Sequence, residues 1–137
     1  MTDTVAALVD TNVLLDIFFD DPAWASWSVR CLETAALHGD IVTNDVVYAE
    51  LSVRSPSVES LNNALARAGV RLVSTPRPAL FAAGKAFHSY RARGGPRTSL
   101  LPDFFIGAHA AVLGVPLVTR DPRRYRTYFP KLELVAP

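Results

Sequence analysis

One cysteine, two lysines and no long apolar run mark what this chain is short of. Cys31 alone cannot close an internal disulfide, which excludes a disulfide-stapled secreted scaffold and fits a reducing cytosol. Its setting, Trp27-Ser28-Val29-Arg30-Cys31, is that of an ordinary core position, and nothing there marks a nucleophile. No apolar stretch reaches the ~18 residues of a membrane span. The first residues, Met1-Thr2-Asp3-Thr4, are without the basic start of a signal peptide. The expectation is a cytoplasmic protein with no membrane association. Repeats, low-complexity tracts and interdomain linkers are also missing, so residues 1–137 read as one domain. A chain of this length buries roughly two thirds of its unfolded surface. His38, His88 and His109 form no cluster, which leaves a zinc site or a protein-nucleophile phosphodiesterase without support. His38 falls at a helix end, while His88 and His109 read as core or boundary residues of apolar helices.

What is present is apolar and unevenly charged. Half of the residues are hydrophobic and the mean hydropathy is +0.18, a surplus that suits a partner-binding surface as well as a core. The net charge of +1 hides an asymmetry. Residues 1–54 hold nine acids against Arg30 and Arg54, a balance of −7. Residues 85–131 hold Lys85, Lys131 and seven arginines against Asp103 and Asp121, a balance of +7. A basic half suits a phosphate-rich substrate, although a solvated basic surface gives the same count.

Gly and Pro punctuate the chain evenly, and strands alternate with helices. Strand Ala6–Asp10 leads into helix Thr11–Phe19, broken by Asp20-Asp21-Pro22, with Pro22 set to open a helix from Ala23 to His38 that Gly39 ends. A strand Asp40–Thr43 precedes a helix capped by Asn44 or Asp45. Helix Val58–Ala68, strand Arg71–Ser74 and helix Ala79–Arg93 come next, the last with Leu80, Phe81, Gly84, Phe87 and His88 on one side. Gly94-Gly95-Pro96-Arg97-Thr98-Ser99 reads as the mobile loop. Helix Asp103–Leu113, apolar all round apart from His109, is expected to be central. Strand Pro116–Thr119, a short helix around Pro122–Tyr125 and strand Leu132–Val135 complete the chain. The pattern predicts a three-layer α/β domain: a central, mainly parallel sheet of about 4–5 strands with helices on both faces.

Four acids stand out. Asp10 and Asp121 each close an apolar strand, Asp103 opens a helix, and Glu50 lies about a turn and a half inside another. In open α/β sheets the carboxyl ends of the strands are where ligands bind, and helices enter from that same edge. Taken singly, Asp10, Asp103 and Asp121 read equally well as helix caps. Glu50 has its own plain alternative, a surface pair with Arg54 at i, i+4. Jointly, converging carboxylates repel one another unless hard cations neutralise them, and oxygen-only sites suit Mg²⁺ or Mn²⁺. That combination points to metal-dependent phosphodiester chemistry.

The order strand-end acid, helix acid, helix-start acid, strand-end acid resembles the PIN-domain ribonucleases, and most closely the VapC-type toxin of VapBC toxin–antitoxin pairs. Four segments carry the resemblance: Val9-Asp10-Thr11-Asn12-Val13-Leu14-Leu15, Asn44-Asp45-Val46-Val47-Tyr48-Ala49-Glu50-Leu51-Ser52, Asp103-Phe104-Phe105-Ile106-Gly107-Ala108-His109-Ala110 and Leu117-Val118-Thr119-Arg120-Asp121-Pro122-Arg123-Arg124-Tyr125. The resemblance implies a metal-dependent endoribonuclease with Asp10, Glu50, Asp103 and Asp121 as catalytic and metal-binding acids and Asn12 and Thr119 as polar supports. It implies an RNA substrate, a cognate antitoxin, and assembly as a homodimer and a toxin–antitoxin hetero-oligomer. Arg97, Arg120, Arg123, Arg124 and Tyr125 are expected along the RNA path, with Arg91, Arg93, Arg126 and Tyr128 beside them; tyrosines there can stack on unpaired bases. The apolar face of Trp24 and Trp27 offers a groove for a partner helix or, equally, core filling.

Two other α/β acid sites fit poorly. A haloacid-dehalogenase-like phosphatase needs a second Asp where this chain has Asn12. A receiver domain needs a late strand-end lysine, which neither Lys85 nor Lys131 supplies. The remaining alternatives are a PIN-type nuclease of RNA maturation or decay, and a catalytically silent binding module.

Overall fold

The computed structural model describes residues 4–96 and 101–137. Arg97 and part of the loop expected to be mobile lie outside them. The elements run β1 (Val5–Val9), α1 (Thr11–Phe18), α2 (Ala25–Ala36), β2 (Asp40–Asn44), α3 (Asp45–Ser52), α4 (Val58–Arg67), β3 (Val70–Val73), α5 (Arg77–Ala92), α6 (Pro102–Leu113), β4 (Leu117–Val118), α7 (Arg123–Tyr128) and β5 (Leu134–Val135).

All strand pairs are parallel, in the order β3-β2-β1-β4-β5. β1 is therefore central, with Leu8 opposite Val42 on one side and Leu117 on the other. Ala7, Leu8 and Val9 are all buried, the continuous apolar run of a strand covered on both faces. Right-handed crossovers put the β1-to-β3 connections on one face of the sheet. The return from β3 to β4 then falls on the other, giving three layers. The reversal occurs between β1 and β4, so the crevice of the sheet opens at their carboxyl ends.

Several predicted boundaries shift for local reasons. Pro22 does not open a helix, because the Asp21 Oδ1 accepts the N–H groups of Ala23 (2.9 Å) and Trp24 (2.9 Å) and holds them in a turn. α2 then ends at Ala36, before Gly39. Gly39 serves a close approach instead: at φ 151° it lies against β1, and a Cβ there would collide with the Thr4 carbonyl oxygen. α5 buries Ala79, Ala83 and Ala86, and of the larger residues expected only Phe87 packs against that cluster, partly buried beside Phe104. Phe81 is 69% exposed, Leu80 42%, and His88 is exposed as well. Alanines let α5 lie close along α6, and larger side chains on that stripe would hold the helices apart. α6 is central from Phe104 to Ala110, while Val112 and Leu113 in its last turn reach solvent. β4 and β5 pair over two residues each, and α7 continues past Tyr125 to Tyr128.

Candidate functional site

Asp10 directly succeeds β1 and is buried, 5% exposed. Its Oδ1 accepts the Thr11 N–H at 2.8 Å, so it caps α1. The cap uses only one oxygen. Oδ2 accepts from the Thr119 hydroxyl (2.8 Å), beyond β4, and from the Tyr125 hydroxyl (2.9 Å), on α7. Burial pushes the Asp10 carboxyl up to about 6 from 3.8; the Asp103 charge adds to the rise, and the bonds from Thr119, Tyr125 and Thr11 oppose it.

Glu50 reaches the same place through its neighbour, since the Thr11 hydroxyl donates to Glu50 Oε1 at 2.5 Å. The surface pair with Arg54 does not form; the Arg54 guanidinium lies 3.8 Å from the centre of the Phe19 ring. Asp103 lies in the first turn of α6, but no side chain caps that helix. Instead Asp103 Oδ2 accepts from Arg124 Nη1 at 2.9 Å. Nor does Asp121 cap α7. Asp121 is exposed, and its N–H donates to the Thr119 hydroxyl at 3.1 Å.

Tyr125 stands among three of the acids. Burial, then the charges of Asp10, Asp103 and Glu50, hold its phenol far above the ordinary range, so it remains a hydrogen-bond donor at all working pH values. This overturns its expected role as a stacking surface: at 1% exposure its ring cannot meet a base. Gly107 makes room for it. A Cβ on Gly107 would stand 2.6 Å from the Phe129 ring and 3.0 Å from Tyr125, so α7 packs against α6 only because that side chain is absent.

Asn12 and Thr119 join the exits of β1 and β4. Asn12 Oδ1 accepts the Arg120 N–H at 3.0 Å, and its Nδ2 lies 3.5 Å from both Asp10 Oδ2 and the Thr119 hydroxyl. Arg120 points away from the acids: Nε and Nη2 bind the two oxygens of Asp16 at 2.8 and 2.9 Å, with the guanidinium over Trp24. It is not presented to a substrate as the sequence suggested. Arg123 and Arg126 are exposed on either side of Arg124. Sequence reasoning passed over Thr11, Asp16 and the hydroxyl role of Tyr125. The available signal was Asp16 itself, a charge between Leu15 and Ile17, one turn from Asn12.

The charges of Asp10, Glu50 and Asp103 thus act on one buried hydroxyl, and Asp121 is exposed next to them, its N–H on the Thr119 hydroxyl. Among the described residues no three acids form a single tight ligand cage. The donors are all hard oxygens, and Mg²⁺ keeps several waters while taking one or two carboxylates directly. Asp10, whose charge is disfavoured by burial and by Asp103, is chemically suited to such a cation.

Solved structures share this architecture end to end. VapBC2 from Rickettsia felis, bound to a promoter DNA fragment, aligns at TM-score 0.74 and 19% identity, covering 98% of this chain and 99% of that one. VapBC-1 from nontypeable Haemophilus influenzae aligns at 0.70 and 19%, covering 97% and 98%. A toxin–antitoxin complex from Klebsiella pneumoniae aligns at 0.68 and 20%, covering 95% and 96%. At these identities the likeness is one of fold. No curated protein sequence matches the chain. The PIN domain family model matches residues 7–130, a span that holds all four acids, Asn12 and Thr119; the chain belongs to the PIN domain family.

Proposed function

We propose that the chain is a Mg²⁺- or Mn²⁺-dependent endoribonuclease and the toxin partner of a small cognate antitoxin, with Asp10, Glu50, Asp103 and Asp121 as its acids. The observation that carries this reading is the Asp10 carboxyl. It is buried at the end of the central strand, pushed up to about 6, and faced by the charge of Asp103. Such a carboxyl gains most from a divalent cation.

When bound, the cation supplies Lewis-acid polarisation of the scissile phosphate and a nucleophilic water at neutral pH. Asp10 and Asp103 would hold it. Thr11 fixes the Glu50 carboxylate through its hydroxyl, and Thr119 and Tyr125 fix one oxygen of Asp10. Tyr125 keeps its proton, so it orients and does not act as a base. Asp121, exposed beside Thr119, is the acid open to solvent and incoming substrate. Arg123 and Arg126 supply positive charge for the RNA backbone.

The antitoxin assignment is supported by the neighbours having been solved as complexes. It is also supported by an open groove of about 630 Å³ lined by Trp27, Cys31, Ala35, Pro116 and Val135, apolar enough for an amphipathic helix. Trp24 is not part of that lining; its ring carries Arg120. Exposed Phe81 and Leu80 on α5 support self-association.

The test is cleavage of RNA by purified protein with Mn²⁺, with EDTA, and by Asp10→Asn and Asp121→Asn. Loss of cleavage in all but the first condition is expected. Undiminished cleavage in EDTA removes the metal mechanism. Co-expression with the neighbouring small open reading frame tests the partner: a product that neither co-purifies nor suppresses cleavage leaves the RNA-maturation alternative.

A further inference from the structure

Asp16 is the side chain that packing alone explains least well. It lies on α1 between Leu15 and Ile17 and is 2% exposed. A buried carboxylate destabilises a fold unless it is fully paired, and an apolar residue of similar volume is often the more stable choice. Asp16 is fully paired. Ser28 on α2 donates to its Oδ2 at 2.9 Å, and Arg120 grips both oxygens in the bidentate geometry that fixes position as well as charge. The Arg120 guanidinium also lies 5.4 Å from the centre of the Trp24 ring.

Arg120 is held a second time. Its backbone N–H donates to Asn12, four residues before Asp16 and so on the same face of α1. One face of α1 therefore grips a single residue at backbone and at head group. That residue sits between Thr119, whose hydroxyl donates to Asp10 at 2.8 Å, and Asp121, the exposed acid. β4 is only two residues long, so the ladder does little to fix the residues after it. Beyond the Thr119 N–H, which donates to the Val135 carbonyl, and the Asp121 N–H, which donates to the Thr119 hydroxyl, the segment is tied to α1 through Arg120 by Asn12 and Asp16.

We infer that Asp16 and Arg120 are positioning residues: a clamp, its carboxylate buried and its guanidinium half-buried, that sets where Thr119 and Asp121 stand relative to Asp10. The inference rests on the nuclease reading above, and it assigns to Arg120 a role opposite to substrate contact. It also accounts for a buried carboxylate on the first helix whose cationic partner is 31% exposed. Residues that orient metal-binding groups typically change affinity or activity by about 10- to 100-fold when lost.

The experiment separates positioning from stapling. Arg120→Met alone leaves Asp16 charged and unpaired and is expected to melt early. The double variant Asp16→Leu/Arg120→Met replaces the pair by apolar groups, which offsets the loss of the Ser28 hydrogen bond, and is expected to stay folded. Mn²⁺ is titrated against melting temperature in wild type, in Asp10→Asn and in the double variant, with kcat and KM for a single-stranded RNA measured beside it. The clamp predicts that the double variant stays folded, that its Mn²⁺ midpoint rises roughly tenfold or more, and that kcat falls by a similar factor with KM nearly unchanged. A folded double variant with wild-type midpoint and kcat overturns the clamp and leaves a staple. Raised KM at unchanged kcat overturns it in favour of an RNA contact. A double variant that fails to fold also counts against it, because the pair is then holding up the fold. A wild type without any Asp10-dependent Mn²⁺ shift removes the nuclease reading and the clamp together.

Discussion

Asp10 is the residue on which stability and chemistry pull in opposite directions. Its folded carboxyl is raised from 3.8 to about 6, mainly by burial, so the folded protein binds a proton more tightly than the unfolded chain. This contribution to stability is therefore fully present below about pH 4 and is lost as pH rises through about 6. In EDTA the melting temperature should drop across that window, by an amount equivalent to roughly 3 kcal/mol at most. Asp10→Asn should flatten the drop and melt above wild type at pH 7.5, while Mn²⁺ should restore wild type and leave Asp10→Asn unmoved. Thermal scans from pH 4 to 8 with and without Mn²⁺ measure both. A wild-type curve that rises with pH in EDTA would mean that the bonds from Thr119 and Tyr125 outweigh burial. Tyr125→Phe isolates one of those bonds. The ring stays packed and only the donor to Asp10 Oδ2 goes, so a loss of about 1–2 kcal/mol and a fall in kcat are expected, with no rise in KM. A raised KM alone would return Tyr125 to the substrate path.

The α6–α7 pair shows how an element places a residue. Gly107 faces Phe129 and Tyr125 so closely that Gly107→Ala must push α7 outward, carrying Tyr125 from Asp10 and Arg124 from Asp103. Overpacking of this kind costs about 1–3 kcal/mol. A lowered melting temperature, altered near-ultraviolet circular dichroism and reduced cleavage are expected together. Reduced cleavage without the spectral change would place the effect elsewhere. Element type was legible in the sequence wherever the local signal and the tertiary demand agreed. β1 reads as a buried strand because Ala7, Leu8 and Val9 are apolar without alternation, and the acid after it is plain. On α5 apolarity points to Leu80 and Phe81, whereas the contact with α6 selects for small size at Ala79, Ala83 and Ala86. Gly39 reads as a helix stop because a single sequence does not show that the chain entering β1 passes so close to it. Of the site, the acids could be named from their strand-end and helix-start positions. Their partners could not, since Thr11 to Glu50 and Tyr125 to Asp10 span 39 and 115 residues.

At the scale of the molecule, the sequence asymmetry is partly cancelled by folding. The acidic first third meets the basic last third across the site: Asp16 takes Arg120, while Asp103 takes Arg124 within the basic half itself. Two of the seven arginines in residues 85–131 are thereby neutralised, so counting them overstates the charge offered to a nucleic acid. Arg123 and Arg126 remain exposed on α7, flanking the acid-paired Arg124 and beginning two residues after Asp121. An RNA strand drawn to these residues would pass the exposed Asp121, two residues before Arg123. Binding of a single-stranded RNA to Asp10→Asn, measured over a range of salt, tests this path without cleavage. Removing one phosphate-binding cation should reduce the log–log salt slope by about 0.7, so adding Arg123→Gln and Arg126→Gln should lower it by about 1.4. Asp16→Leu/Arg120→Met in the same background should leave the slope unchanged, because that guanidinium already has its anion. If instead the slope falls with Arg120 and holds with Arg123 and Arg126, the strand runs over α1 and α2, and the α7 path is excluded.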